Sequence, residues 1–137
     1  MAEPHVVGYG KRRLRVVGEP YDRDVALDLF AGILVRQYAP AVEWYQRFLG
    51  SPPSFLPNEI EAAWELAEHR FIYIREQPED AGHARHTIFV DDLDVRTASL
   101  ARRGIEPTSR ETLDNGVRKV TYHDPCDNEI SFGGAPL

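Results

Sequence analysis

The first half of this 137-residue chain and its second half carry the same order of elements. That internal repetition narrows the folds open to the chain more than any single motif does. With Val35 placed on Val90, AGILVRQYAPAVEWYQRFLG lies over HTIFVDDLDVRTASLARRG, and the two helix-ending glycines, Gly50 and Gly104, fall within one residue of each other. With Ile72 placed on Ile130, FIYIRE lies over EISFGG. Each half then reads strand, helix, loop, strands. Two βαβββ units in one α+β domain satisfy this order, and a doubly wound parallel sheet does not.

The local reading supplies the elements. LDLFAGILV, from Leu27, has the length and branched content of a strand. Val42, Tyr45, Phe48 and Leu49 recur at helical spacing, so a helix is expected over Ala39–Leu49 with Gly50 ending it. SPPSFLPNE reads as a loop and RFIYIRE as a strand. IEAAWELAEH favours helix by propensity. If the halves are equivalent it must be mostly strand, an override that tertiary context commonly imposes. In the second half HTIFV is a strand, and a helix over Asp94–Arg103 follows, with Asp92 or Asp94 able to cap it. IEPTSRETLDNG reads as loop or short strand, with Asn115-Gly116 a hairpin turn signal. VRKVTYHDP and EISFGG are strands around a Cys126-Asp127-Asn128 turn.

The length suits a single domain. We place it at residues 27–137, with modules at about 27–78 and 83–134, after an N-terminal extension of residues 1–26. The extension carries Lys11, Arg12, Arg13 and Arg15 beside Gly8, Gly10 and Gly18, and reads as a solvated tail, an added strand or an arm to an acidic partner. A net charge of −6 argues against nucleic-acid binding, which needs a basic face. One cysteine, Cys126, makes no internal disulfide, and no zinc-type Cys/His spacing is present. No apolar run approaches the roughly 20 residues of a membrane span. No signal-peptide core is recognisable, so the expected location is cytoplasmic.

Three segments resemble the vicinal oxygen chelate superfamily, which includes glyoxalase I, bleomycin-resistance proteins and extradiol dioxygenases. WYQRFLG looks like its first-helix end. VDDLD followed by RRGIEP looks like its second-module entry and helix. DPCDNEISF looks like its near-terminal Asp-Pro-Asp-Gly-Asn turn and last strand, with Cys126 and Asp127 in place of the usual Asp and Gly. The resemblance implies an open, cleft-bearing barrel, a ligand or metal in the cleft, and a homodimer. Unprotected sheet edges point to pairing as well. In metal-using members four strand residues bind the ion. The matching positions here are Phe30, Tyr73, Arg85 and Ser131. Phe cannot bind a metal and Arg repels one, so the resemblance implies a member without metal or cofactor.

Strand alternation places Ile72, Ile74, Ile130 and Phe132 on helix-facing surfaces. Tyr73, Arg75, Glu129 and Ser131 then face the cleft, as do Gly32, Leu34, Thr87 and Phe89. Aromatic rings with Arg75 and Arg85 suit a flat, partly anionic small molecule, such as an aromatic or antibiotic-like compound. The plainer alternative is that Phe30, Phe71 and Phe89 fill the core while the arginines pair with Glu129 or Glu76. A register error of one would instead offer His86, His123 and Glu129 to a divalent metal. Cys126 has no activating base in the sequence and reads as inert. Glu59, Glu61, Glu65 and Glu68 read as a solvated face.

Four functions remain open at this level: a metal-free binding protein; a metal-dependent lyase, isomerase or dioxygenase; a metal-free enzyme in which Arg85 polarises a carbonyl and Glu129 or Tyr73 moves a proton; and an interaction module without a small-molecule role.

Overall fold

The computed structural model describes residues 27–137, so the N-terminal extension lies outside the described residues. Strand β1 (Leu29–Val35) leads into helix α1 (Tyr38–Leu49), then strands β2 (Phe55–Asn58), β3 (Glu61–Ala67) and β4 (Arg70–Glu76). After a single 3₁₀ turn at Pro78–Asp80 the order repeats as β5 (Arg85–Phe89), α2 (Leu93–Arg102), β6 (Ser109–Thr112), β7 (Arg118–His123) and β8 (Glu129–Gly134). The strands form two four-stranded sheets, β1-β4-β3-β2 and β5-β8-β7-β6, with no closed barrel. The first strand of each module, β1 or β5, runs parallel to its neighbour, β4 or β8, and the remaining pairs are antiparallel. This is an α+β fold of two βαβββ modules.

The register confirms the repeat. Phe30 pairs with Phe71 and Ile33 with Ile74 in the first sheet. Arg85 pairs with Glu129 and Ile88 with Phe132 in the second. These are the pairs obtained by moving β1 onto β5 through Val35 and Val90, and β4 onto β8 through Ile72 and Ile130. Both helices lie within one residue of their expected bounds.

IEAAWELAEH is strand in its central part. Ala62, Ala63 and Trp64 are buried there, between β2 and β4. Pairing on both sides outweighs the modest helix preference of Ala, Glu and Leu. The segment read as the loop SPPSFLPNE contains β2. Its Pro57 lies on an edge strand, where the β2–β3 register slips between Phe55 and Asn58, the setting in which a strand tolerates proline.

Helix α1 joins the two modules. It buries Ala41, Trp44, Tyr45 and Phe48, and Gly50 ends it in the left-handed conformation that only glycine adopts without steric cost. The Glu76 carboxylate accepts the Tyr38 N–H at 3.0 Å, placing an anion at the helix start. Tyr45 lies 6.1 Å from the Trp64 ring of β3, while Phe48 stacks on Phe132 of β8 at 5.4 Å and meets Tyr122 of β7 edge-on at 5.3 Å. One helix therefore packs against the aliphatic faces of both sheets. The opposite face of each sheet turns away from it.

A second junction is polar. Asp124, buried, accepts hydrogen bonds from the Tyr45 hydroxyl at 2.8 Å, the Cys126 and Asn128 backbone N–H groups at 2.7 and 2.9 Å, and Asn128 Nδ2 at 2.9 Å. Asn128 Nδ2 also donates to the Leu34 carbonyl, and its Oδ1 accepts the Ala84 N–H. The turn after β7 thus fastens β1, α1 and the entry to β5 together. Asp127, at the position where the resembled turn usually has glycine, holds a positive φ of 69°. Asp tolerates it better than most residues. Burial, and next the nearby Asp124 carboxylate, raise the pKa of Tyr45 well above the ordinary tyrosine value.

Candidate functional site: the open sheet faces

The face of the first sheet that turns away from α1 carries an aromatic patch. Phe30 and Phe71 are cross-strand partners, and their rings stack 4.3 Å apart, 7° from parallel. Phe55 meets both edge-on, and Tyr73 stands 6.4 Å from Phe30. Tyr73 owes its position to Gly32, its partner on β1: a Cβ on Gly32 would sit 2.7 Å from the tyrosine hydroxyl. With no side chain in the way, the ring lies down across β1. Arg75 closes this face, paired with Glu61 at 3.1 Å and bonded to Gln77 at 3.3 Å. Phe30 is 45% exposed although it sits among three other rings. A ring left that open is available for contact with something else.

The corresponding face of the second sheet is polar. Arg85, Glu129 and His123 are consecutive cross-strand neighbours on β5, β8 and β7. Arg85 Nε lies 3.3 Å from Glu129 Oε2, and His123 Nε2 lies 3.9 Å from Glu129 Oε1. His123 Nδ1 is 2.7 Å from Thr108 Oγ1. Phe89, largely exposed, leans over Gly133, its partner on β8. Ser131 belongs to the same strand face but is fully buried, its hydroxyl bonded to Thr121 Oγ1 at 2.9 Å.

The four positions matched to the family's ligand positions therefore fall into two pairs. Phe30 and Tyr73 meet in the first module, and Arg85 and Ser131 lie two residues apart along the second sheet's ladder. The described ring contacts and ion pairs of each group stay within one module. Arg85 does pair with Glu129, whereas Arg75 pairs with Glu61 rather than Glu76. His86 points to the other side of β5, where Nε2 meets the Gly32 carbonyl at 3.1 Å. It is thus separated from His123 and Glu129 by the sheet, and among the described residues no group of three or more His, Cys, Asp and Glu side chains is placed to hold a metal. Cys126 Sγ accepts the Arg36 N–H across the module boundary.

Sequence reasoning missed Tyr45 and Asp124 as partners, because they are 79 positions apart and only the packing of α1 joins them. It also missed Thr108, whose signal would have been a hydroxyl opposite a strand histidine. A cavity of about 680 Å³ lies elsewhere, between the modules, walled by Leu49, Trp64, Ile88, Phe132, Arg70 and Arg96. Of the expected site residues only Phe89 reaches it. No described helix is long and apolar enough to cross a membrane.

Comparison with solved structures first fixes the class. The chain matches a lactoylglutathione lyase from Agrobacterium tumefaciens with a TM-score of 0.65 at 14% identity, over 77% of this chain and 91% of that one. It matches a bleomycin-binding protein solved with bleomycin with the same TM-score and identity, over 78% and 97%. At such identities the likeness is one of fold. A glyoxalase/bleomycin resistance protein from Catenulispora acidiphila is 50% identical over 80% of this chain and 99% of its own length, with a TM-score of 0.77. The chain belongs to the glyoxalase/bleomycin-resistance family. No protein-family model and no curated protein matches the sequence.

Proposed function

We propose that the protein is a metal-free small-molecule-binding protein of the glyoxalase/bleomycin-resistance type, taking an aromatic, partly anionic ligand on its open sheet faces. The observation that carries this reading is the chemistry at the four family ligand positions. Phe30, Tyr73, Arg85 and Ser131 supply rings, a fixed cation and a hydroxyl where a metal would need carboxylates or imidazoles. The stacked Phe30–Phe71 pair offers an aromatic platform, and Arg85, whose side chain is 74% exposed, offers a cation. The solved relative with bleomycin bound supports a binding role in a protein of this fold.

The same geometry supports a homodimer. Because α1 lies against the inner faces of both sheets, the aromatic face and the Arg85 face both turn outward from it. A second copy would close the two faces over one ligand, the aromatic face of one chain above the cationic face of the other. Exposed Leu29, Phe30, Leu56 and Phe89 give such an interface apolar area.

The test is thermal-shift screening with aromatic carboxylates, followed by calorimetry on Arg85→Ala. Loss of the charged hydrogen bond should weaken an anionic arene by about 1.5–3 kcal/mol. The fold should barely notice, because so exposed a pair as Arg85–Glu129 contributes about 0–1 kcal/mol. Binding unaffected by Arg85→Ala, or stoichiometric metal in protein purified without chelator, would refute the proposal.

A further inference from the structure

The cavity between the modules lies apart from the open sheet faces and has the composition of a ligand site of its own. Its volume of about 680 Å³ falls within the usual range of small-molecule pockets, about 300–1,000 Å³. Its floor is two buried rings, Trp64 of β3 and Phe132 of β8, one from each module. Leu49, Leu66 and Ile88 add aliphatic wall. The polar atom of the floor, the Trp64 indole N–H, is already donated to the Ser51 carbonyl at 2.9 Å. A molecule lying on this floor meets hydrocarbon and ring faces, so its buried part must be apolar. One cation touches the floor. The Arg96 guanidinium lies over the Phe132 ring, 5.2 Å from its centre, and Asp92 accepts from its Nε and Nη2 at 3.2 and 3.4 Å. Ring and carboxylate together orient the group, and Nη1 has no partner among the described residues. The other ionic residues on the walls, Arg70, Glu65 and Asp91, are exposed, where water and salt screen them. An oriented guanidinium at the edge of an apolar floor suits a carboxylate carried on a hydrocarbon chain. A neutral ligand would leave the Nη1 donors unused.

We infer that this cavity is a second binding site, for an aliphatic carboxylate of medium chain length: the chain lies over Trp64 and Phe132, and the carboxylate accepts from Arg96. Arg96 selects the acid, and the floor selects the chain. The site does not depend on the aromatic ligand of the sheet faces, whose cation is Arg85.

The experiment titrates the full-length protein with hexanoate, octanoate and octanamide by calorimetry. Octanoate should bind about tenfold more tightly than hexanoate, the scale of burying two methylenes. It should also bind about tenfold more tightly than the neutral octanamide, the scale of a charged hydrogen bond. Arg96→Gln should erase the preference for the acid and leave octanamide binding as it was. Leu66→Trp, a change at a half-exposed wall residue, should fill the cavity and abolish binding of both. A second readout reports position. In Trp44→Phe, where Trp64 is the remaining tryptophan, 8-bromooctanoate should quench the emission along the binding curve that calorimetry gives. No binding of octanoate at millimolar concentration overturns the inference, as does binding indifferent to both Arg96→Gln and Leu66→Trp. Octanoate that loses affinity on Arg85→Ala and not on Arg96→Gln lies on the sheet face, and overturns it too. The reading of an aromatic ligand on the sheet faces is tested by aromatic carboxylates and Arg85→Ala, so either site can fail without the other.

Discussion

Replacing Asp124 by alanine should be among the most damaging single changes available to this fold. Its carboxylate accepts four hydrogen bonds, from the Tyr45 hydroxyl, two backbone N–H groups of its own turn, and the Asn128 amide. Hydrogen bonds to a charged group contribute about 1.5–3 kcal/mol each. The four would sum to well above the net loss, because the small cavity can admit water and Asn128 keeps its bond to the Leu34 carbonyl. Buried donors left without a partner cost about 1–3 kcal/mol each, part of it offset where water enters, so a net loss of about 3–5 kcal/mol is expected here. A domain of this size has only about 5–15 kcal/mol in total. Urea unfolding followed by tryptophan fluorescence, with Trp44 and Trp64 in the core, measures the change directly. The midpoint should fall with the slope unchanged. Tyr45→Phe alone should cost about 1.5–3 kcal/mol, one charge-assisted bond, and should cost little further once Asp124 is gone. A loss below about 1 kcal/mol for Asp124→Ala, or full additivity of the two substitutions, would refute the claim that this turn fastens the modules together.

Three further outcomes follow from the core. Stability should decline as pH rises from about 10, the ordinary tyrosine value, up through the raised pKa values of Tyr45 and Tyr122: a raised pKa leaves its stabilising contribution intact below about pH 10 and loses it across that interval. Absorbance titration near the tyrosinate band, compared with Tyr45→Phe, would show a late-ionising phenol disappear. Tyr122→Phe should leave stability unchanged or raise it by about 1 kcal/mol, because the Tyr122 hydroxyl is buried without a partner among the described residues; a clear loss in chemical denaturation would mean that the hydroxyl is satisfied. Phe48→Ala, which removes the ring stacked between α1 and the second sheet, should cost about 3–5 kcal/mol in the same assay.

The sequence by itself determined the modular plan. Alternation and branched residues mark β1, β4, β5 and β8, and the two alignments of the halves require Phe30 opposite Phe71 and Arg85 opposite Glu129, as the strands in fact pair. It also determined face membership, because strand side chains alternate strictly: Tyr73, Arg75, Arg85 and Glu129 lie on the faces away from the helices and His86 does not. Tertiary structure decided what local pattern leaves ambiguous. IEAAWELAEH became strand because two neighbours offer it a ladder, and SPPSFLPNE gave up an edge strand for the same reason. Ser131, on the expected face, is buried with Thr121, since face membership does not fix exposure. The Tyr45–Asp124 bond, the His86 contact with Gly32 and the Thr108 contact with His123 depend on residues brought together across modules or strands. Periodicity is a property of neighbouring residues, whereas a hydrogen bond between residues 79 apart exists only once α1 has packed against both sheets.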